Sequence, residues 1–475
     1  MGRPFHASVG LILRLPLLVV LFTFFFAVSP SPTDQTALTA LQQGDELSAD
    51  SWTVAAATYR QAVARLPHDP EPHLRLGQLH LRWQRPAQAR DAFFEAAQRG
   101  GDLRRVGAGL REAYAALGNW EAVATLARMA LARQPEDLDA LQDLAEARFR
   151  QGMWDAAWAA WEQVLARQPS DADALYRLGL MAVASAGETA SLPLGLSYLQ
   201  QAHRQTTDQD RRQAIETVIA ALGQARGSDD PAYRFALLGQ ALLRVQEPRL
   251  AAYSLRQAVT LNPAYGEAYA WLGQALDLLG EGEAALDALR QAVALVPASP
   301  VAHTLLGLYW DRRGETTLAR AAYETAYDLD PTNAALCLEI GGTYAEEGAF
   351  VAAEIWLRAA TWLAPQDPEV WLALARFYLD QGVDRGLGPA QRAVALAPQR
   401  AEAHDLLGWA YTLQGEYERA LAELQQALAL DPTLASAYKH LGRLLELQGD
   451  LDAARRAYAR AADWDPRWKP PHDQE

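Results

Sequence analysis

From about residue 36 onward, apolar residues recur at helical rather than strand spacing: three to four apart, with polar positions between them. In residues 401–434, Leu407, Gly408 and Tyr411 share one helical face and Gly415 interrupts it. Ala420, Leu424 and Ala427 then mark the face of a second helix. The Asp431-Pro432 step ends that helix, because proline lacks the N–H that would continue the ladder. The pattern predicts two antiparallel helices joined by a short turn, with small residues at Gly408 and Ala420 letting the backbones approach and Tyr411 and Leu424 filling the space.

This unit is repeated. A small residue stands at Gly239, Gly273, Gly307, Gly341, Ala375, Gly408 and Gly442. A proline stands at Pro263, Pro297, Pro331, Pro365, Pro398, Pro432 and Pro466, and an alanine five before each, from Ala258 to Ala461. The spacing is 34 residues in all three columns, with one shared deletion between Ala375 and Ala393. Upstream the frame continues more weakly through Gly77, Ala145 and Gly179, and through Pro67, Pro135 and Pro169. A lone hairpin cannot cover its own apolar faces, so stacking of neighbours is what folds such a chain.

These columns resemble the tetratricopeptide repeat (TPR) family. The family pattern is matched almost fully in 266–299, 300–333, 334–367, 401–434 and 435–468, and more loosely in 70–103, 104–137, 138–171, 232–265 and 368–400. Residues 36–69 read as a degenerate first repeat. The resemblance implies an all-α fold: a right-handed superhelical solenoid of antiparallel helix pairs, about eleven to twelve TPR-like repeats long. The frame breaks once. In 172–205 Leu178-Gly179 fits, but Ala202 comes about four residues late, after an inserted loop Gly187–Pro193. Residues 208–226 then read as an extra helix, apolar at Ile215, Val218, Ile219 and Leu222, and Gly227–Pro231 as a turn or hinge. The expected organisation is a leader, 1–33; an N-terminal array, 34–205; a joint, 206–231; a C-terminal array of seven repeats, 232–468; and a loose tail, 469–475. Stability is expected to add up over the repeats, so loss of one whole unit such as 300–333 is tolerated better than loss of half of one.

The first residues follow a different pattern. Arg3, His6 and Arg14 precede Leu15–Val28, which is apolar apart from Pro16 and Thr23. The core run suits a signal-peptide h-region, and counted over 9–28 it is long enough to span a bilayer. Both readings stay open: an uncleaved anchor or a cleaved leader. Basic residues precede the segment, and Asp34, Asp45 and Glu46 follow it. The positive-inside rule then predicts a single-pass cell-membrane protein with its repeats on the extracytoplasmic side, or a secreted or periplasmic one after cleavage.

Composition narrows the function. The net charge is −15, which argues against nucleic acid, whose phosphates need a basic surface. Residues 231–475 hold 32 acidic and 21 basic side chains, against 26 and 22 in 1–230. Cys337 is the only cysteine, so intrachain disulfides and cysteine metal sites are excluded. The only lysines, Lys439 and Lys469, follow no glycine-rich loop, which excludes a P-loop. His73, His303 and His404 each fall at the fourth position of a repeat, too far apart to share a metal, and read as packing residues. Catalytic, cofactor and metal sites are therefore expected to be none, and the chain is expected not to be an enzyme.

In TPR proteins the first helix of each pair lines a concave groove, and its second, fifth, ninth and twelfth positions face that groove. Carried onto the last three repeats, this resemblance points to Arg376, Asp405, Trp409, Lys439 and Arg443 as partner-binding residues. A cationic wall beside an indole suits an acidic or carboxylate-terminated peptide, although the asparagines of the carboxylate-clamp TPR domains are missing. The expected function is a membrane-tethered or secreted scaffold mediating protein–protein interactions in an extracytoplasmic assembly. The alternative is an accessory subunit of an exopolysaccharide or glycan synthesis or export complex.

Overall fold

A computed structural model describes residues 41, 43, 52–185, 192–382, 384–465 and 467–468. The leader 1–33 with its apolar segment 9–28, most of the inserted loop, and the tail 469–475 lie outside the described residues. Among those described there is no helix long and apolar enough to cross a membrane.

The described chain is helical throughout, without strands. The N-terminal units are α1 (Trp52–Arg65), α2 (Glu71–Arg82) with α3 (Pro86–Gln98), α4 (Leu103–Ala116) with α5 (Trp120–Arg133), α6 (Leu138–Arg150) with α7 (Trp154–Arg167), and α8 (Ala172–Ala184) with α9 (Leu192–Gln205). An unpaired helix, α10 (Gln209–Arg226), follows. The remaining units are α11 (Pro231–Arg244) with α12 (Pro248–Leu261), α13 (Gly266–Leu278) with α14 (Gly282–Leu295), α15 (Pro300–Asp311) with α16 (Thr316–Leu329), and α17 (Ala334–Glu346) with α18 (Phe350–Leu363). The last three pairs are α19 (Pro368–Asp380) with α20 (Leu387–Leu396), α21 (Ala401–Leu413) with α22 (Tyr417–Leu430), and α23 (Ala435–Leu447) with α24 (Leu451–Trp464).

The periodic columns explain these hairpins. A Cβ placed on Gly408 would sit 2.7 Å from Leu424 Cγ, and one on Gly307 would sit 2.5 Å from the Tyr323 ring. The small column therefore receives the large side chain four positions after the Ala420 column. Tyr323 and Leu424 are fully buried there, and burial of a leucine side chain contributes about 1.5–3 kcal/mol. The deletion in 368–400 falls on the second helix: α20 spans only 10 residues and is entered through a 3-10 turn, Asp384–Gly386.

The turn inside each hairpin whose turn is described needs a left-handed residue, and glycine supplies it at 118, 152, 280, 314, 348, 382, 415 and 449. Two units differ. Gln84 and Gln246 hold the same conformation at φ 51° and 59°, at a cost of about 1–2 kcal/mol each for a side chain with a Cβ.

The fourth-position column also finds its role. His303 Nε2 and His404 Nε2 lie 3.0 Å from the carbonyls of Pro297 and Pro398, and Trp371 Nε1 donates to that of Pro365 at 3.0 Å. Each tethers the start of one unit to the proline that ends the unit before it.

Successive first helices touch one another, as in α11–α13, α13–α15, α19–α21 and α21–α23, whereas second helices make no comparable contact. The array therefore curves with first helices inside and second helices outside. At the joint, α10 intervenes between α9 and α11, yet α8 still packs directly on α11 and α12. The extra helix therefore stands outside a continuous inner layer. The hydrophobic core runs unbroken through this point, from Leu141 to Tyr309. Arg177 of α8 fastens it, pairing with Glu146 at 2.9 Å and with Glu247 at the entry to α12. The turn 227–231 is fastened too: Asp230 caps α11 through Ala232 N, and Arg234 donates to the Ser228 carbonyl.

The bend brings the ends together. α24 packs against α1, and Trp464 stacks on Trp83 with ring centroids 4.2 Å apart. The described chain thus closes on itself.

Candidate functional site

The inner wall, lined by first helices, is the surface the fold makes available. Arg376 lies on α19, Asp405 and Trp409 on α21, and Lys439 and Arg443 on α23. The ninth position, which carries Arg376, Trp409 and Arg443, is exposed or half-buried in all three units.

Asp405 is 3% exposed. It accepts hydrogen bonds from Ser436 Oγ at 2.6 Å and His440 Nδ1 at 2.7 Å, both on the next first helix. The imidazole lies flat on Trp409, 4.8 Å between centroids and 11° between planes. Asp405 therefore anchors a histidine–indole plate rather than meeting a ligand itself. Two aromatic rings held parallel by a buried carboxylate form a rigid face, which orders little on binding.

The cations are unequal. Lys439 Nζ pairs with Asp465 at 2.8 Å and lies 5.2 Å from the Trp468 ring centroid. The hydrogen bond from Lys439 holds the Asp465 carboxyl below the usual carboxylate range, with partial desolvation opposing. Arg443 pairs with Glu446 at 2.7 Å, and Glu446 also accepts from Tyr458 Oη at 3.1 Å. Arg376 is exposed and makes no ion pair among the described residues. A carboxylate ligand would meet Arg376 unopposed and would compete with Asp465 and Glu446 for the other two cations.

Ser436 and Glu446 occupy the second and twelfth positions of their unit, whereas His440 and Asp465 lie outside a groove reading based on four positions per helix. The second and sixth positions of one unit stack over the fifth position of the unit before it. That relation depends on the rise between units, which periodicity along one helix does not carry.

A second concavity of about 540 Å3 opens at the joint, where Tyr176 and Arg211 face Arg244 and Gln246 across the start of α10. Asp208 and Asp210 lie in the same wall. Arg211 pairs with Asp173, so the acids balance the arginines and the site selects no charge. Among the described residues, no cluster of three or more His, Cys, Asp or Glu is arranged to hold a metal.

Tetratricopeptide-repeat family models match residues 41–103, 143–191, 236–300 and 279–334, 312–377 and 435–467, and a TPR-repeat model matches 408–449. No curated protein sequence matches the chain significantly. Among solved structures, the chain is similar to the Cut9–Hcn1 hetero-tetramer of the APC/C at 14% identity, over 92% of this chain and 95% of that one, with a TM-score of 0.40. It is similar to yeast Tom70 at 16% identity, over 91% and 92%, with a TM-score of 0.39. It is similar to YrrB, described as a TPR protein with an unusual peptide-binding site, at 21% identity, over 39% and 96%, with a TM-score of 0.33.

Proposed function

Since the chain belongs to the tetratricopeptide-repeat family, we propose that it is an interaction scaffold holding an extended protein segment along its inner wall, outside the cytoplasmic membrane. The observation that carries this is the half-buried Trp409–His440 plate, locked from behind by Asp405, with the exposed Arg376 at the ninth position of the preceding first helix. A peptide lying across α19, α21 and α23 would stack a side chain on the plate and place a carboxylate at Arg376. Arg443 and Lys439 would then exchange their internal carboxylates for the ligand's. Such exchange offsets much of the gain, so affinity comes mainly from the plate and Arg376. The apolar segment 9–28, with basic residues before it and acids after it, supports tethering with the repeats on the extracytoplasmic side.

The test is crosslinking of the full-length protein in its native membrane, followed by identification of what is captured. A small defined set of envelope proteins, lost when Arg376 and Trp409 are changed to Ala and weakened less by Lys439→Ala or Arg443→Ala, is the expected result. Capture of soluble cytoplasmic proteins would refute the topology. Capture indifferent to Arg376 and Trp409 would refute the site.

A further inference from the structure

The seam where the two ends meet differs in kind from the contacts between neighbouring repeats. Neighbouring repeats bury columns of Ala, Leu and Tyr. The seam sets polar-edged aromatics and charges beside a small apolar cluster of Leu41, Tyr59, Leu79 and Trp83, against which Trp464 packs. Trp464, the last residue of α24, stacks on Trp83 just beyond α2, their planes 29° apart. Arg85 donates from Nη2 to the Asp463 carbonyl at 3.1 Å, and its guanidinium lies 3.5 Å over the Trp52 ring. The turn that presents both Trp83 and Arg85 contains Gln84, one of the two left-handed glutamines. The other, Gln246, lines the concavity at the joint.

Satisfaction at the seam is incomplete. Trp52 Nε1, His80 Nδ1 and Arg85 Nε are buried without a hydrogen-bond partner among the described residues. A buried polar group left unpaired is costly, and opening would return these groups to water. The Trp stack and the Arg85 bond favour closure; the unpaired atoms oppose it. Such a balance lets the seam part while the hairpins, each with its own Leu–Ala core, stay folded.

We propose that this seam is a latch: the array exists as a closed ring that opens between the first pair of helices, α1 and α2, and α24 into a crescent, with every repeat intact. In the closed form the first helices face an enclosed space, which a flexible segment can thread. In the open form the same wall is presented to a folded domain. The latch stands on the seam geometry alone, so it can hold even if the binding site at Arg376 and Trp409 is wrong.

The experiment is a pulsed electron–electron distance measurement on the full chain, spin-labelled at Ala57→Cys and Ala459→Cys. These positions are exposed on α1 and α24, and the native Cys337 is buried and escapes labelling. The expected result is a dominant short distance. It should lengthen by at least roughly one helix diameter, about 10 Å, and broaden when Arg85→Ala and Trp464→Ala are combined, with the helical circular dichroism unchanged. Arg85→Ala alone leaves the half-buried Trp464 in place and should give a mixture of both distances. A long, broad distribution in the labelled parent would show that the ends do not meet. Distances unmoved by either variant would show that the seam does not hold the ends. Lengthening only together with loss of helical signal would make opening a form of unfolding. Any of these three overturns the latch.

Discussion

Arg177→Met is the sharpest test of how the two arrays are joined. Arg177 is 16% exposed in its side chain, and its partners Glu146 and Glu247 are 21% and 8% exposed. The two carboxylates hold the guanidinium charged against the desolvation that opposes it. With methionine at 177, Glu146 can still turn to Arg150, which is 2.7 Å away. Glu247 has no second cation among its described contacts, so it is left as a buried, uncompensated charge. Removing one partner of a buried pair costs about 3–5 kcal/mol, and the residual exposure here brings that to about 3 kcal/mol. Because stability in a repeat array is a sum of units and interfaces, the loss falls on the interface between α8 and α12. Urea unfolding followed by tryptophan fluorescence and circular dichroism should then lose about 3 kcal/mol and separate into two transitions. Glu247→Gln should destabilise the parent but stabilise the Arg177→Met variant, giving a coupling of at least about 1.5 kcal/mol. A single transition within about 0.5 kcal/mol of the parent, or equal effects of Glu247→Gln in both backgrounds, would refute the reasoning.

Two further outcomes follow from the turns and the seam. Gln246→Gly removes a left-handed side chain where most other repeats use glycine, so it should raise stability by about 0.5–1 kcal/mol after the entropic cost of glycine; a fall of that size in the urea midpoint would contradict the strain. His80 is driven from 6.5 down to about 4 by burial, with Arg60 and Arg85 adding to the shift and Asp91 opposing it. The unfolded chain then binds a proton that the folded one refuses, so stability present above pH 6.5 is lost as pH falls towards 4. A His80→Gln variant should show a flatter profile across that window in urea titrations; parallel profiles would remove His80 as the cause.

The repeat architecture was legible because it is written three times over, in the Gly, Ala and Pro columns. Gly408 against Leu424 and Gly307 against Tyr323 are contacts within one hairpin, and short-range periodicity carries those. The extra helix over 208–226 was also legible, from Ile215, Val218 and Leu222. Part of what escaped is side-chain pairing within a unit, and the rest depends on relations between units. Asp405 looked like a wall residue from its position, yet it is buried by Ser436 and His440 of the next helix. Lys439 and Arg443 looked like free cations, yet Asp465 and Glu446 meet them. The pairing of Trp83 with Trp464 spans almost the whole array. It follows from the summed curvature of every unit, which no local pattern records.

Closure has a consequence for how such a chain can change its length. An open solenoid can gain or lose a unit by duplication or deletion, and each added hairpin simply extends the surface. A ring cannot, because the rotations of its members must together complete one turn. Removing 300–333 would leave every remaining hairpin chemically complete and still drag Trp464 away from Trp83. Copy number, ordinarily the freest variable in this architecture, is then fixed by arithmetic. A small change of angle at any unit, including one imposed by a bound segment, is summed around the circumference and delivered at a single place.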